Sequence, residues 1–220
     1  VEREDLFVDQ LEGWWRSEER RVDVVNAGTE GWSTDQEVAW FLANAEAYDP
    51  DLVLLFPYEN DLYWNGQESY YGTPKPRFEP SGVFEAKTLV KSAKKKSLRE
   101  SSAALRALGM LARRGPPPPN PEFGVLLESP PAGYADWVAR SENALKNLRE
   151  ACTVLGARLL LVPIPSKSAV DPAEKAFFQD WTHGLQGAKT PWSPDKPVNE
   201  FLGLATKLGI EALDPRATLI

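Results

Sequence analysis

The stretch VDVVNAGTEGWSTDQEVAWFLANAEAYDPDLVLLFPYENDLYWN, residues 22–65, changes its hydrophobic period twice, and those changes decide the fold class. Val22 to Val25 is a short apolar run ending at Asn26, and Leu52 to Phe56 is a continuous one. Such runs are expected of strands buried on both faces of a parallel sheet. Between them Val38, Phe41, Leu42 and Ala45 recur at helical spacing. Thr34 and Glu37 stand at capping-box spacing just ahead of that pattern and Pro50 follows its end, so the spacing predicts a helix between the strands. The segment reads as a βαβ unit. In sheets built this way ligands bind where strands end and turns begin, which places Gly28 to Ser33 and Tyr58 to Asn65 side by side at one rim.

Outward from this unit the alternation continues. The opening VEREDLFVDQLEGWW predicts a helix with Leu6, Phe7, Gln10, Leu11 and Trp14 on one stripe. Trp137, Ser141, Leu145, Leu148, Cys152 and Leu155 form a second helical stripe from Tyr134 onward, closed by Gly156 where a left-handed cap is wanted. Arg158 to Pro163 reads as the next buried strand, with Pro165 to Lys167 in the turn after it. Asp171 and Pro172 have the N-cap and N1 arrangement of a further helix. Ser193 and Pro194 open the last helix, whose stripe is Phe201, Leu204, Ala205 and Leu208, and Ile210 to Leu213 is the last strand. Cys152 is then a buried small residue, and His183 a surface or cap residue.

The alternation fails from about residue 68 to 131. Gly72, Pro74, Pro76, Pro80 and Gly82 mark a loop in which Tyr70 and Tyr71 either pack the loop down or line a site. Lys87 to Arg114 holds nine Lys and Arg against the lone acid Glu100, and Pro116 to Pro119 is a stiff linker. Two readings of the basic run stand: a solvated helix face with its leucines turned inward, or a surface for anionic membrane or polysaccharide. The expectation is one domain over residues 1–220 carrying an inserted excursion, a lid or mobile insert.

At 220 residues and 42% apolar content, with eight Trp, the chain is long enough and hydrophobic enough for a sizeable core. A formal charge of −7 gives no reason to expect nucleic acid as a partner. One Cys excludes an internal disulfide and one His excludes most His-based metal sites. No apolar run is long enough to span a bilayer.

NAGTEGWSTDQE followed by a strand and then ENDLYWN resembles the second and third sequence blocks of the SGNH (GDSL-type) hydrolase family. LLLVPIPSKSAV, around Lys167, is similar to a stretch in bacterial members related to polysaccharide O-acetyltransferases. The resemblance implies a three-layer α/β/α sandwich with a parallel, flavodoxin-like sheet of spatial order 2-1-3-4-5. It implies ester hydrolysis or O-acyl transfer on an acylated carbohydrate or small ester, without metal or organic cofactor, in a bacterial extracytoplasmic or membrane-anchored setting. In the family a glycine amide and an asparagine side chain form the oxyanion hole, and the matching positions are Gly31 and Asn60. Tyr58 stands where many members have glycine. The Gly-Asp-Ser and Asp-x-x-His blocks that carry nucleophile and base have no match here, so the expectation is a domain truncated at both ends and inactive as it stands.

Attack on an ester puts negative charge on the carbonyl oxygen, and fixed donors at that oxygen lower the barrier by a few kcal/mol each. Gly31 N–H and the neutral Asn60 amide would supply two. Taken singly, Gly31 reads as a turn residue and Asn60 as an Asx-turn or cap. Asp61 is expected to make loop hydrogen bonds. Trp32, Tyr58, Tyr63 and Trp64 are candidates for a wall facing a sugar or acyl group, with packing as the other reading. Lys167 either anchors a carboxylate or phosphate or bonds loop carbonyls. An alternative role for the whole chain is a catalytically inactive carbohydrate-binding or interaction module.

Overall fold

The structure, a computed structural model, describes residues 6–80, 84–85, 120–176 and 191–219. It divides into two compact units, Val1–Trp32 and Ser33–Ile220.

In the first unit, α1 (Phe7–Ser17) is the expected opening helix, but none of its residues is buried, and Phe7 and Trp14 on its stripe are 57% and 58% exposed. Val22 to Val25 was expected as a buried strand and is corrected: it forms no ladder, and Val25 is exposed. A run of four residues needs an edge to pair with before its backbone groups favour extension. Here the segment is tied to α1 instead, with Arg16 Nε donating to the Val22 carbonyl at 3.3 Å and Arg16 Nη2 to Asp23 at 3.2 Å. Beyond it, Gly28 N–H donates to Asn26 Oδ1 at 3.0 Å in an Asx turn, and Gly31 takes φ 77°.

The second unit begins with α2 (Thr34–Tyr48), one residue earlier in its capping than the sequence implied: Ser33, not Thr34, is the N-cap, and Gln36 Oε1 accepts from Ser33 N–H at 3.3 Å. Val38 and Ala45 of its stripe are buried, whereas Leu42 is exposed. After α2 come β1 (Leu52–Leu55) and the single-turn helix α3 (Asp61–Asn65). Two antiparallel pairs follow: β2 (Ser69–Tyr70) with β3 (Thr73–Pro74), and β4 (Arg77–Phe78) with β5 (Phe84–Glu85). A 3-10 turn (Pro121–Leu126) leads to α4 (Tyr134–Leu155), β6 (Arg158–Leu161), α5 (Lys196–Leu208) and β7 (Glu211–Ala212).

Strands β1, β6 and β7 form one parallel sheet in the order β1-β6-β7, so the chain is an α/β protein. The register pairs Val53 with Leu159 and Leu55 with Leu161, and these four side chains lie on the face that joins the core. The intervening Leu54 and Leu160 point the other way and are half-buried, as the two-residue period requires. Burial on both faces, expected for β1, is therefore corrected: one face is packed and the other is part-open among the described residues. The packed face lies under α4, which also meets α2, α3 and α5. Ser141, Leu145, Leu148 and Cys152 of α4 are buried along the expected stripe, and Gly156 closes it in the left-handed conformation at φ 75°. Gly66 at the end of α3 permits the closest approach to this helix: a Cβ there would sit 2.1 Å from Trp137 Cδ1.

Parts of the stretch expected to be an excursion contribute to the core. Phe78 is fully buried, as are Val125 and Leu126 of the 3-10 turn. The basic run Lys87 to Arg114, its lid role and His183 lie outside the described residues. Asp171 is the expected N-cap, its Oδ1 accepting from Ala173 N–H at 2.9 Å.

Candidate functional site

The C-terminal ends of β1 and β6 carry the rim that the sequence singled out. Beyond the strands the two chains stay paired: Ile164 N–H donates to the Pro57 carbonyl at 2.8 Å, and Tyr58 and Ile164 form an isolated parallel bridge. The turns after both strands, Tyr58 to Asn60 and Pro165 to Lys167, are thereby held side by side. Tyr58 and Ile164 are 40% and 42% exposed, so this rim is open to solvent.

Asn60 occupies the N-cap position of α3, and its side chain makes no capping hydrogen bond. The cap reading of Asn60 is thus not what the geometry uses. Its neighbour Asp61 holds the turn: Oδ2 accepts from Tyr58 N–H at 3.2 Å and from Thr34 Oγ1 at 2.8 Å. Asp61 is 4% exposed, and burial pushes its carboxyl up to about 7 against those hydrogen bonds. Loop hydrogen bonding, expected of Asp61, is what it does.

Below the rim lies a buried polar network that joins four elements. Asn65 Oδ1 accepts from Asp35 N–H at 3.1 Å, Asn65 Nδ2 donates to Ser141 Oγ at 2.8 Å, and Ser141 donates to the Trp137 carbonyl at 2.9 Å. Lys75, from the segment between β3 and β4, forms an ion pair with Asp35 in which each side chain is 1% exposed. Burial pushes Asp35 up and Lys75 down, while their mutual attraction acts the other way on each. Ser33 Oγ lies 3.2 Å from Lys75 Nζ and donates to Asp35 Oδ1 at 2.8 Å. A serine beside a lysine base is one arrangement of nucleophilic catalysis. This one has no access for a substrate, since Ser33 and Lys75 are each 2% exposed. Its chemical consequence is rigidity: it fixes the start of α2, the end of α3 and the β3–β4 segment to α4.

The same rim contains residues that no sequence pattern marks. The Glu59 carboxyl is raised by burial and lowered in part by a hydrogen bond with Ser166, and its Oε2 has no hydrogen-bond partner among the described residues. Ser166 and Ser168 Oγ are 2.8 Å apart and buried. Only the turn after a second strand brings Ser166 to Glu59, and that pairing belongs to sheet topology, not to local pattern. Glu37, on α2, is likewise raised to about 8 by burial and by the charges of Asp61 and Asp35.

The other expected site residues fall in different settings. Gly31 and Trp32 belong to the first unit and Asn60 to the second. Trp64 is 9% exposed and sits among aromatic rings, with Tyr63 and Tyr70 centroids at 5.1 and 4.7 Å. Lys167 is 68% exposed and pairs with Glu174. The Cys152 thiol is buried, with its pKa raised by burial to about 11, which keeps it a thiol at neutral pH. Among the described residues no three His, Cys, Asp or Glu side chains are grouped to hold a metal ion, and no helix is long and apolar enough to cross a membrane.

The fold and rim define an α/β protein with two strand-end turns converging on a solvent-facing edge. No family model matches the chain, and no significant match was found among curated proteins or solved structures.

Proposed function

We propose that this chain is the body of an SGNH-type esterase or O-acyltransferase, a three-layer α/β/α domain acting on an acylated carbohydrate or small ester. The observation that carries the proposal is Asn60. It is a neutral amide at the end of β1, at the N-cap position yet making no capping bond, beside an exposed rim. A neutral donor held in that way is suited to an oxygen on which charge develops, because it is not already committed to a counter-ion. Asp61 orients the turn from beneath through the Tyr58 N–H and Thr34 hydroxyl. In the acyl-transfer step an oxygen nucleophile adds to the ester carbonyl, the oxyanion is met by Asn60 Nδ2, and collapse breaks the ester C–O bond and expels the alcohol, which takes up the proton the nucleophile gave up. The proposal assigns nucleophile and base to no serine or histidine of this chain.

Two measurements test it. The chain alone is expected to show no turnover of a short-chain aryl ester, since none of its serines has a nucleophile-turn context; turnover lost on replacing one of its serines would place the nucleophile here. With the nucleophile and base supplied, Asn60→Ala is expected to lower kcat for an acetyl ester by about 10²–10³-fold, as loss of one oxyanion donor does. An unchanged kcat would remove Asn60 from the mechanism.

A further inference from the structure

The β2–β3 hairpin turns through Tyr71 and Gly72, two residues between the Cα-paired Tyr70 and Thr73. Both turn residues have positive φ, 44° for Tyr71 and 86° for Gly72, the signature of a type I′ turn. Asn, Asp or Gly fill the first position of such turns, because a bulky side chain is crowded by its own backbone there. Tyrosine is an unfavourable choice for the turn. It is also an unfavourable choice for solvent, since Tyr71 is 79% exposed. Neither local conformation nor burial accounts for this ring.

What surrounds it does. Tyr71 is the outermost of three rings in mutual edge or tilted contact: its centroid is 4.7 Å from Tyr70 and 5.5 Å from Trp64, and Tyr70 is 4.7 Å from Trp64. Trp64 is anchored beneath on α3, where its N–H donates to the Asn60 carbonyl at 3.0 Å. Residues four apart share one face of a helix, so the aromatic group starts one turn from Asn60 and runs outward to Tyr71. The neighbouring charge is acidic. Glu68 precedes β2, the charge of Glu122 is felt at the Tyr63 hydroxyl, and Arg77 is engaged by Glu68 and Glu79.

We propose that Tyr71, backed by Tyr70 and Trp64, is a stacking platform for an uncharged pyranose, holding a sugar chain beside Asn60. A flat, exposed ring on a rigid aromatic base offers a surface to the C–H face of a sugar, and the acidic surroundings disfavour polyanionic chains. The inference rests on the acyl-carbohydrate reading of Asn60 and supplies its substrate class and a binding residue outside the oxyanion site.

The experiment titrates the chain with cellohexaose and chitohexaose, read by tryptophan fluorescence and by the tyrosine ring signals in NMR, with an oligogalacturonate as the anionic comparison. At least one neutral hexaose is expected to bind saturably and the anionic one not. Tyr71→Phe is expected to keep the binding and Tyr71→Asn to weaken it about two- to tenfold, the range of one lost aromatic contact. Tyr71→Asn is at the same time expected to melt no lower than the parent, because Asn suits the turn. Loss of binding is then separable from loss of fold. No binding of either neutral hexaose by a cooperatively melting parent overturns the proposal, and so does preference for the anionic chain, or a Tyr71→Asn variant that binds as well as the parent. Self-association abolished by Tyr71→Asn would assign the platform to a second copy and also overturns it. Binding of these unacylated chains is read without any ester turnover, so a failure of the ester chemistry and a failure of the platform give different results.

Discussion

Replacing Lys75 by Met is expected to lower the unfolding free energy by about 3–5 kcal/mol, the cost of leaving one member of a buried ion pair without its partner. Asp35 is 1% exposed, and without the ammonium it keeps only the Ser33 hydroxyl and the Gln36 N–H as partners. A carboxylate in that position either loses its charge by taking up a proton or remains unpaired in a low-dielectric site, and both are costly. Asp35→Asn in the Lys75→Met background removes the charge while keeping an acceptor for Ser33. The double variant is therefore expected to recover at least half of the loss, because paired removal of a buried salt bridge is often near neutral. Urea unfolding at constant slope measures both. A loss below about 1 kcal/mol for Lys75→Met would place it in the range of solvated surface pairs and sink the buried-pair account.

That pair also marks the limit of what local pattern conveys. Lys75 stands between Pro74 and Pro76 in a stretch whose composition reads as exposed loop, and its counter-charge lies 40 residues earlier, so nothing local distinguishes it from a solvated lysine. The helices α4 and α5 were legible because their faces are set by period alone: Leu145, Leu148 and Cys152, and Phe201, Leu204 and Ala205, are buried where the stripes put them. Strands β1 and β6 were legible as continuous apolar runs. Val22 to Val25 looks the same in sequence and is no strand, because pairing depends on a neighbouring edge that composition does not encode. At the rim, Asn60 was singled out by the resemblance carried in ENDLYWN and by no local pattern. Glu59 and Ser166 were not, since a carboxyl becomes chemically distinctive only when topology buries it against a hydroxyl from another turn.

Stability is expected to fall as the pH rises from about 4.5 to 8, the reverse of the usual acid sensitivity of paired carboxylates. Glu37 is raised from 4.5 to about 8 by burial first, and then by the charges of Asp61 and Asp35, and its Oε2 has no hydrogen-bond partner among the described residues. Below its unfolded pKa both states hold the proton and the group costs nothing. Between 4.5 and 8 the unfolded chain ionises while the fold retains the proton, so unfolding releases a proton and each increment of pH favours it. Above 8 the penalty is complete and constant. At roughly 1.4 kcal/mol for each unit of pKa difference, Glu37 alone makes the fold about 4–5 kcal/mol less stable at pH 9 than at pH 4. Asp61, raised to about 7, adds a penalty of the same sign over a window starting at 3.8. The opposing groups act elsewhere: Asp214 and Glu79 are held low by Arg216 and by Arg140 with Arg77, and their contribution is lost only in acid, below their ordinary carboxylate range. Lys75, depressed by burial, favours the fold only as pH rises toward 10.5. Glu37→Gln keeps the shape and removes the ionisation, so the variant is expected to match the parent near pH 4.5 and to exceed it by several kcal/mol at pH 8.5. Thermal and urea melts at those two values decide it. Equal losses for parent and variant between them would show that the Glu37 carboxyl reaches water in the folded protein and titrates as an ordinary one.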